Sequence, residues 1–89
     1  MTNRCDALMM LDRRKNLVGF QAKTDNAIRF VNASLIPRYN GQIVRVPKQI
    51  ALNYYQQLKD NDFTVVICQV MRGGQYHGSA WYRRYLRWL

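Results

Sequence analysis

Residues 63–71 read FTVVICQVM, and this apolar stretch decides the fold that the sequence predicts. Both sets of alternate positions in it are mainly apolar. Because successive side chains of a strand point to opposite faces, such a strand has to be covered on both faces. We therefore expect residues 63–71 to form the central strand of the fold. Cys68 lies within it and is expected to be a buried thiol with a structural role.

The residues before this strand predict a helix over residues 47–59. One stripe at helical spacing holds Pro47, Ala51, Tyr54, Tyr55 and Leu58, with Ile50 beside it. Pro47 fits the first helical position, where its missing N–H has no intrahelical partner to lose. The polar residues 60–62 are expected to end the helix.

Alternation of apolar residues further upstream predicts a meander of three strands over residues 17–23, 27–35 and 42–46. The inward-facing side chains would be Val18, Phe20, Ala22, Ile28, Phe30, Val44 and Val46. Residues 24–26 read Thr-Asp-Asn, which is typical of a turn. Asn40-Gly41 favours a type I′ hairpin, which requires positive φ at both of its central residues.

Two terminal helices complete the predicted order. One covers residues 5–15 and places Arg13, Arg14 and Lys15 in its last turn. The other begins after Ser79 and covers residues 80–89, with an apolar face and an arginine face. The apolar face would hold Trp81, Tyr82, Tyr85, Leu86 and Leu89.

The expected fold is thus α+β, a single small domain over residues 1–89 in the order α-β-β-β-α-β-α, with a mostly antiparallel sheet packed by helices. The element order of the first 60 residues resembles that of double-stranded-RNA-binding domains. The resemblance is one of topology only, because the sequence signatures of those domains are missing, and it assigns no family.

The composition excludes several classes of function. Fourteen Lys and Arg residues stand against five acidic residues, all of them Asp, for a net charge of +9 and a pI near 10.2. So few carboxylates argue against glycosidase pairs and multi-carboxylate metal sites, and two cysteines are too few for a zinc knuckle. We therefore expect no cofactor and no metal. No apolar run approaches the length of a membrane span and no secretory signal is evident, so the expected location is cytoplasmic.

The basic charge points to nucleic acid as the partner, and two groups of residues are the candidates for phosphate contact. The first lies in the C-terminal third and comprises Arg72, Arg83, Arg84 and Arg87, with Tyr76 and Trp88 as candidates for base stacking or partner contact. Gly73 and Gly74 would let the backbone approach a phosphate closely. The second group is Lys23, Arg29 and Arg45, which would share the outer face of the meander. The function predicted is non-enzymatic nucleic-acid binding.

Two alternatives stay open. A small inhibitor or adaptor could bind an acidic surface of a protein or nucleoprotein partner, with the exposed aromatic residues as anchors. A toxin-type ribonuclease would depend on His77, the single histidine, as its acid or base. A homodimer is compatible with the first two readings, because a protein this small gains stability by covering a sheet edge.

Overall fold

A computed structural model describes residues 4–12 and 16–69 of the 89-residue chain. The elements are β1 (Ala7–Asp12), β2 (Leu17–Ala22), α1 (Asp25–Ser34), β3 (Val44–Pro47), α2 (Lys48–Asp60) and β4 (Val65–Gln69). The strands form one sheet in the order β3-β2-β1-β4. The α+β class is confirmed, but the sheet is mixed, because β1 is antiparallel to β2 and parallel to β4. The helix predicted over residues 80–89 lies outside the described residues.

β1 occupies the interior of the sheet, so the helix predicted over residues 5–15 is wrong. Ala7, Met9 and Leu11 are buried on one face of the strand, and Met10 is buried on the other. The run from Ala7 to Leu11 is apolar at every position, so it has no helical period and needs neighbours on both faces. With β1 a strand, the resemblance in element order to double-stranded-RNA-binding domains also disappears.

β4 confirms the strand predicted from residues 63–71 but not its central place. It pairs in parallel with β1, and among the described residues no strand lies on its other side. Ile67 and Cys68 are both fully buried on opposite faces, as the apolar pattern requires. The two interior strands of the described sheet are β1 and β2.

α1 replaces the strand that was predicted over residues 27–35. Thr24 is its N-cap, and the Thr24 hydroxyl oxygen accepts a hydrogen bond from the Ala27 N–H at 3.3 Å. Asp25 follows in the first turn, where a negative charge suits the helix dipole. Ala27 and Val31, one turn apart, are the buried residues. The polar residues 24–26 therefore begin a helix and do not form a hairpin turn.

The connection from α1 to β3 is a loop anchored by a buried tyrosine. The Tyr39 hydroxyl accepts a hydrogen bond from the Ala22 N–H at 2.8 Å and donates one to the Gln42 carbonyl at 2.7 Å. Gly41 has a φ of +89°, but Asn40 does not adopt positive φ. The predicted type I′ hairpin is therefore absent, because the element before the turn is a helix with no strand to pair.

α2 confirms the predicted second helix, which ends at the C-cap Asn61. Pro47, predicted at the first helical position, is instead the N-cap and the last residue of β3. Both described helices pack on the same side of the sheet, which we call the helix face. Its strand residues are Ala7, Met9, Leu11, Val18, Phe20, Ala22 and Ile67, and they form one hydrophobic cluster with residues of α1 and α2. Val44 and Val46 of β3 pack against this cluster, as the alternation predicted. The other side of the sheet, which we call the outer face, carries Leu8, Met10, Val66 and Cys68.

Candidate nucleic-acid interface

Three of the predicted phosphate-contacting residues are described, and all three are exposed: Lys23, Arg29 and Arg45. The remaining candidates lie outside the described residues, and they are Arg72, Tyr76, His77, Arg83, Arg84, Arg87 and Trp88. The Gly-rich loop that includes Gly73 and Gly74 lies outside them as well.

The structure does not assemble Lys23, Arg29 and Arg45 into the predicted three-strand platform. Arg45 is on β3, opposite Gly19 of β2, and alternates with the valines of the helix face. Lys23 follows the last residue of β2. Arg29 lies on α1, a helix that packs on the helix face, so it does not share a sheet surface with Arg45. The platform is wrong because residues 27–35 are not a strand. Each residue's contact with nucleic acid stays a prediction.

A different juxtaposition gathers basic residues at one end of the sheet. β1 and β3 are both antiparallel to β2, and β4 is parallel to β1, so β1, β3 and β4 all run in the same direction. Asp12 pairs with Leu17, and Leu17 pairs with Pro47, so the last residues of β1 and β3 lie in one row. Lys48 directly follows that row, and the chain joins Asp12 to Asn16 through the basic residues 13–15. We call Arg13, Arg14, Lys15 and Lys48 the basic end.

The opposite end of the sheet carries most of the acidic residues. Asp6 precedes β1, and Asp25 begins α1, the element after β2. Asp60 is the last residue of α2, and Asp62 lies between α2 and β4. Four of the five acidic residues of the chain are therefore at this end. Its basic residues are Arg4, Lys23 and Lys59, and Arg4 is paired with Asp6 at 3.0 Å. Among the described residues, the acidic side chains other than Asp12 thus lie at the end of the sheet opposite to Lys48, and the basic residues 13–15 follow Asp12 in sequence.

The start of α2 adds to the positive potential of the basic end. No side chain caps this helix by a hydrogen bond, its first turn has no acidic residue, and Lys48 is its first residue. The partial positive charge of a helix N-terminus therefore has no carboxylate of the first turn beside it. Lysine at this position is unfavourable for the helix and favourable for holding an anion.

Asp6, at the acidic end, has a structural role that the sequence did not indicate. Its side chain is 3% exposed, and it is the one charged side chain that is buried among the described residues. Its carboxylate accepts hydrogen bonds from the Thr24 hydroxyl at 2.9 Å and from the Thr64 N–H at 2.7 Å. These bonds tie the start of β1 to the N-cap of α1 and to the start of β4.

The cysteines do not form a reactive or metal-binding site among the described residues. Burial raises the pKa of the Cys68 thiol to about 12, so the thiol stays protonated at neutral pH. Burial also raises the pKa of Cys5, and the nearby Lys23 opposes that effect. No group of three or more His, Cys or Asp side chains in the described part of the chain could hold a metal ion. Cys68 is fully buried, as predicted.

The basic end is not evident from the sequence pattern, because that pattern predicts residues 13–15 in the last turn of a helix. The signal that could have located it is the polar stretch from Asp12 to Asn16 between two apolar runs, which is typical of a hairpin connection. Asn16 has a φ of +53°, a conformation that Asn adopts more readily than most residues.

Neither α1 nor α2, the helices described, is long and apolar enough to cross a membrane. Comparison of the chain with protein-family models, curated proteins and solved structures found no match.

Proposed function

We propose that this protein is a non-enzymatic, cytoplasmic nucleic-acid-binding protein that holds the phosphate backbone at its basic end. The observation that supports this function is the separation of charge along the strands. The basic residues 13–15 and Lys48 follow the ends of β1 and β3, whereas four of the five acidic residues lie at the other end. A polyanion would therefore be attracted to one end of the sheet and repelled from the other.

The spacing of the basic end suits a polyanion better than a single small anion. β1 and β3 are separated by one strand, β2, so their ends are about 10 Å apart at the usual strand spacing. That separation is about one Debye length at an ionic strength of about 0.1 M, so the two groups partly reinforce each other's attraction for an anion. Charges that neutralise several neighbouring phosphates release the counterions condensed on nucleic acid, and this release drives binding.

The C-terminal residues would extend the same surface. Gln69, the last residue of β4, pairs with Leu11, so the chain leaves the described structure at the basic end. Arg72, Arg83, Arg84 and Arg87 follow it in sequence, with Tyr76 and Trp88 as candidates for stacking on bases. Among the described candidates, Arg45 on β3 is the nearest to the basic end, and Lys23 lies at the acidic end.

The test is a binding titration of the full chain against labelled duplex DNA, single-stranded DNA and RNA, by fluorescence anisotropy at 50 and 200 mM KCl. For duplex DNA, the slope of log affinity against log salt concentration is about −0.9 for each phosphate contact. Four contacts would therefore lower the duplex affinity about 150-fold over that range. Replacing residues 13–15 with glutamine should make the slope shallower by about 2.7. The matched control replaces Lys59, an exposed lysine at the acidic end, with glutamine and should leave the slope nearly unchanged.

The outcomes separate this function from its alternatives. Equal slope changes per charge at the two ends would overturn the placement of the interface. No binding to any nucleic acid at 50 mM KCl would overturn the function itself and favour an acidic protein or nucleoprotein surface as the partner. Cleaved RNA on a gel after the titration, abolished by His77→Ala, would favour the ribonuclease.

A further inference from the structure

β3 is an edge strand of the described sheet, and the direction of its backbone groups follows from one proline. β2 pairs with one side of β3, and in the described part of the chain no strand pairs with the other side. Pro47 lies opposite Leu17 but has no N–H, so the two cannot form a hydrogen-bonded pair. Because hydrogen-bonded and non-hydrogen-bonded pairs alternate in an antiparallel ladder, Val44 and Val46 form the hydrogen-bonded pairs with β2. Arg45, between them, therefore points its N–H and C=O away from β2.

These outward groups of Arg45 are open to a further strand. No hydrogen bond between described residues outside the ladder uses the Arg45 N–H or C=O. The side chain of Arg45 is exposed and forms no ion pair with a carboxylate of the described residues. An edge strand with unpaired N–H and C=O groups is a template on which an extended peptide can add.

Arg45 and Ile43 lie on the same face at this edge. Arg45 alternates with the two valines of the helix face, so its side chain is on the outer face, opposite Gly19. Ile43 is 54% exposed, and its Cγ2 is 3.7 Å from a Cβ placed on Gly19, so Ile43 also lies over the outer face. A strand added at this edge would therefore meet a cation and an apolar side chain two positions apart.

The chemistry of these groups favours a peptide that carries a carboxylate. Phosphate oxygens accept hydrogen bonds and donate none, so a phosphate backbone would leave the Arg45 C=O unpaired. An extended peptide offers a donor and an acceptor at each residue, so one residue can bond to both groups of Arg45. A carboxylate on that residue adds a cross-strand pair of opposite charges.

This chain does not offer such a carboxylate on a free strand edge. Asp12 is the acidic residue within a described strand, and its strand, β1, is paired on both sides. Residues 1–3, 13–15 and 70–89 contain no acidic residue. A second copy that paired through its own β3 would bring a second Arg45 close to the first, and like charges across a pair of strands are destabilising. Charge complementarity therefore points to a different protein.

We propose that β3 binds an extended acidic peptide of a partner protein, which adds to the edge of the sheet as an antiparallel strand. A Glu or Asp of the peptide lies opposite Arg45, and an apolar residue lies opposite Ile43. Pro47 limits the pairing to about four residues, because it lacks the N–H that a longer ladder would need. The proposal does not rest on the proposed function, because it concerns the edge of β3 and needs no nucleic acid.

The first test titrates the full chain into a fluorescein-labelled peptide, Thr-Val-Glu-Val-Ile-Thr, and follows the fluorescence anisotropy without nucleic acid. In the proposed register the Glu lies opposite Arg45 and the Ile opposite Ile43. A matched peptide with Lys in place of Glu should bind about tenfold more weakly, and Arg45→Glu should reverse this preference. Equal affinities of the two peptides, or no binding of either at about 1 mM protein, would overturn the proposal.

N-methylation of the peptide separates strand pairing from charge attraction. The N–H of the peptide Glu donates to the Arg45 C=O, whereas the N–H of the Val that follows it points away from β3. Methylation of the Glu nitrogen should therefore weaken binding about tenfold, and methylation of that Val nitrogen should leave it nearly unchanged. Equal effects at the two nitrogens would contradict pairing by backbone hydrogen bonds.

Amide hydrogen exchange shows whether the edge is free. The Arg45 N–H should exchange about tenfold or more faster than the Val44 N–H, which bonds to β2, and the peptide should slow only the former. An Arg45 N–H that is protected without peptide would overturn the proposal, because the chain itself would then cover the edge. Protection that rises with protein concentration would also overturn it and identify a second copy as the occupant. If the peptide binds and nucleic acid does not, the proposed function fails alone.

Discussion

Removing the Asp6 carboxylate tests whether one buried side chain fastens three elements together. Asp6→Ala leaves the Thr64 N–H without its 2.7 Å acceptor and the Thr24 hydroxyl without its 2.9 Å acceptor. Hydrogen bonds to charged groups contribute about 1.5–3 kcal/mol each, and losses at one shared acceptor add incompletely. Because the Arg4 side chain is 58% exposed, its ion pair adds less than about 1 kcal/mol. The expected loss of unfolding free energy is about 3 kcal/mol.

A loss of that size is large for this chain. At about 0.05–0.15 kcal/mol per residue, 89 residues give a total stability of about 4–13 kcal/mol. Urea unfolding followed by circular dichroism should show a midpoint lowered by about 2 M or more. The slope of the unfolding free energy against urea concentration should stay unchanged. Asp60→Ala is the matched control, because Asp60 is exposed and accepts one hydrogen bond, from Gln56.

A double-mutant cycle isolates the bond between Asp6 and Thr24. Thr24→Ala alone removes the N-cap of α1 and should cost about 1 kcal/mol beyond its bond to Asp6. The two substitutions together should cost less than their sum by about 1 kcal/mol or more, because they share one interaction. If Asp6→Ala costs no more than Asp60→Ala, or if the cycle is additive, the anchoring role of Asp6 is refuted.

Two further predictions concern buried polar groups. Tyr39→Phe leaves the Ala22 N–H in the core without an acceptor and should lower the unfolding free energy by about 1–3 kcal/mol in urea titrations, with Tyr55→Phe on α2 as the control. Cys68 makes stability depend on alkaline pH, because burial raises its pKa from 9.0 to about 12 in the folded state. Below pH 9.0 both states hold the proton and the thiol contributes no pH dependence; above it the unfolded thiol ionises first, so stability falls by up to about 1.4 kcal/mol per pH unit. Unfolding titrations between pH 9 and 11 should show a shallower decline for Cys68→Ala than for the unmodified chain, and parallel declines would contradict this assignment.

The second half of the described chain could be predicted from local sequence because its patterns are unambiguous. α2 combines an apolar stripe with Pro47 at its start and polar residues at its end, so several signals agree. β3 alternates, and the apolar run of β4 is bounded by Asp62 on one side. β2 could also be predicted from its alternation, because Val18, Phe20 and Ala22 are all buried on the helix face.

The first strand and the first helix could not be assigned locally, and each failure has a physical reason. A run such as Ala7–Leu11 is apolar throughout, so it fits a buried strand and a buried helix equally well, and only pairing with β2 and β4 decides between them. In α1 the buried residues Ala27 and Val31 have helical spacing, but Ile28 and Phe30 also alternate. The capping role of Thr24 decides for the helix, and the same residue types favour turns.

The candidate interface depended on these same elements. The predicted platform is absent because Arg29 lies on α1, and the basic end depends on β1 being a strand that residues 13–15 follow in sequence. Neither could be recognised from the positions of basic residues along the sequence. Which charges lie together is set by strand direction and register, and the parallel pairing of β1 with β4 is a long-range feature that no local pattern encodes.

The parallel pairing of β1 with β4 also sets the order of events when the chain is made. Ala7 pairs with Val65, so an edge of β1 stays unpaired until residues 65–69 have left the ribosome. During that interval, a strand that is apolar on both faces presents free backbone groups to other nascent chains, a known route to aggregation. Synthesis rate and chaperone supply would therefore affect the yield of this protein more than its final stability would suggest.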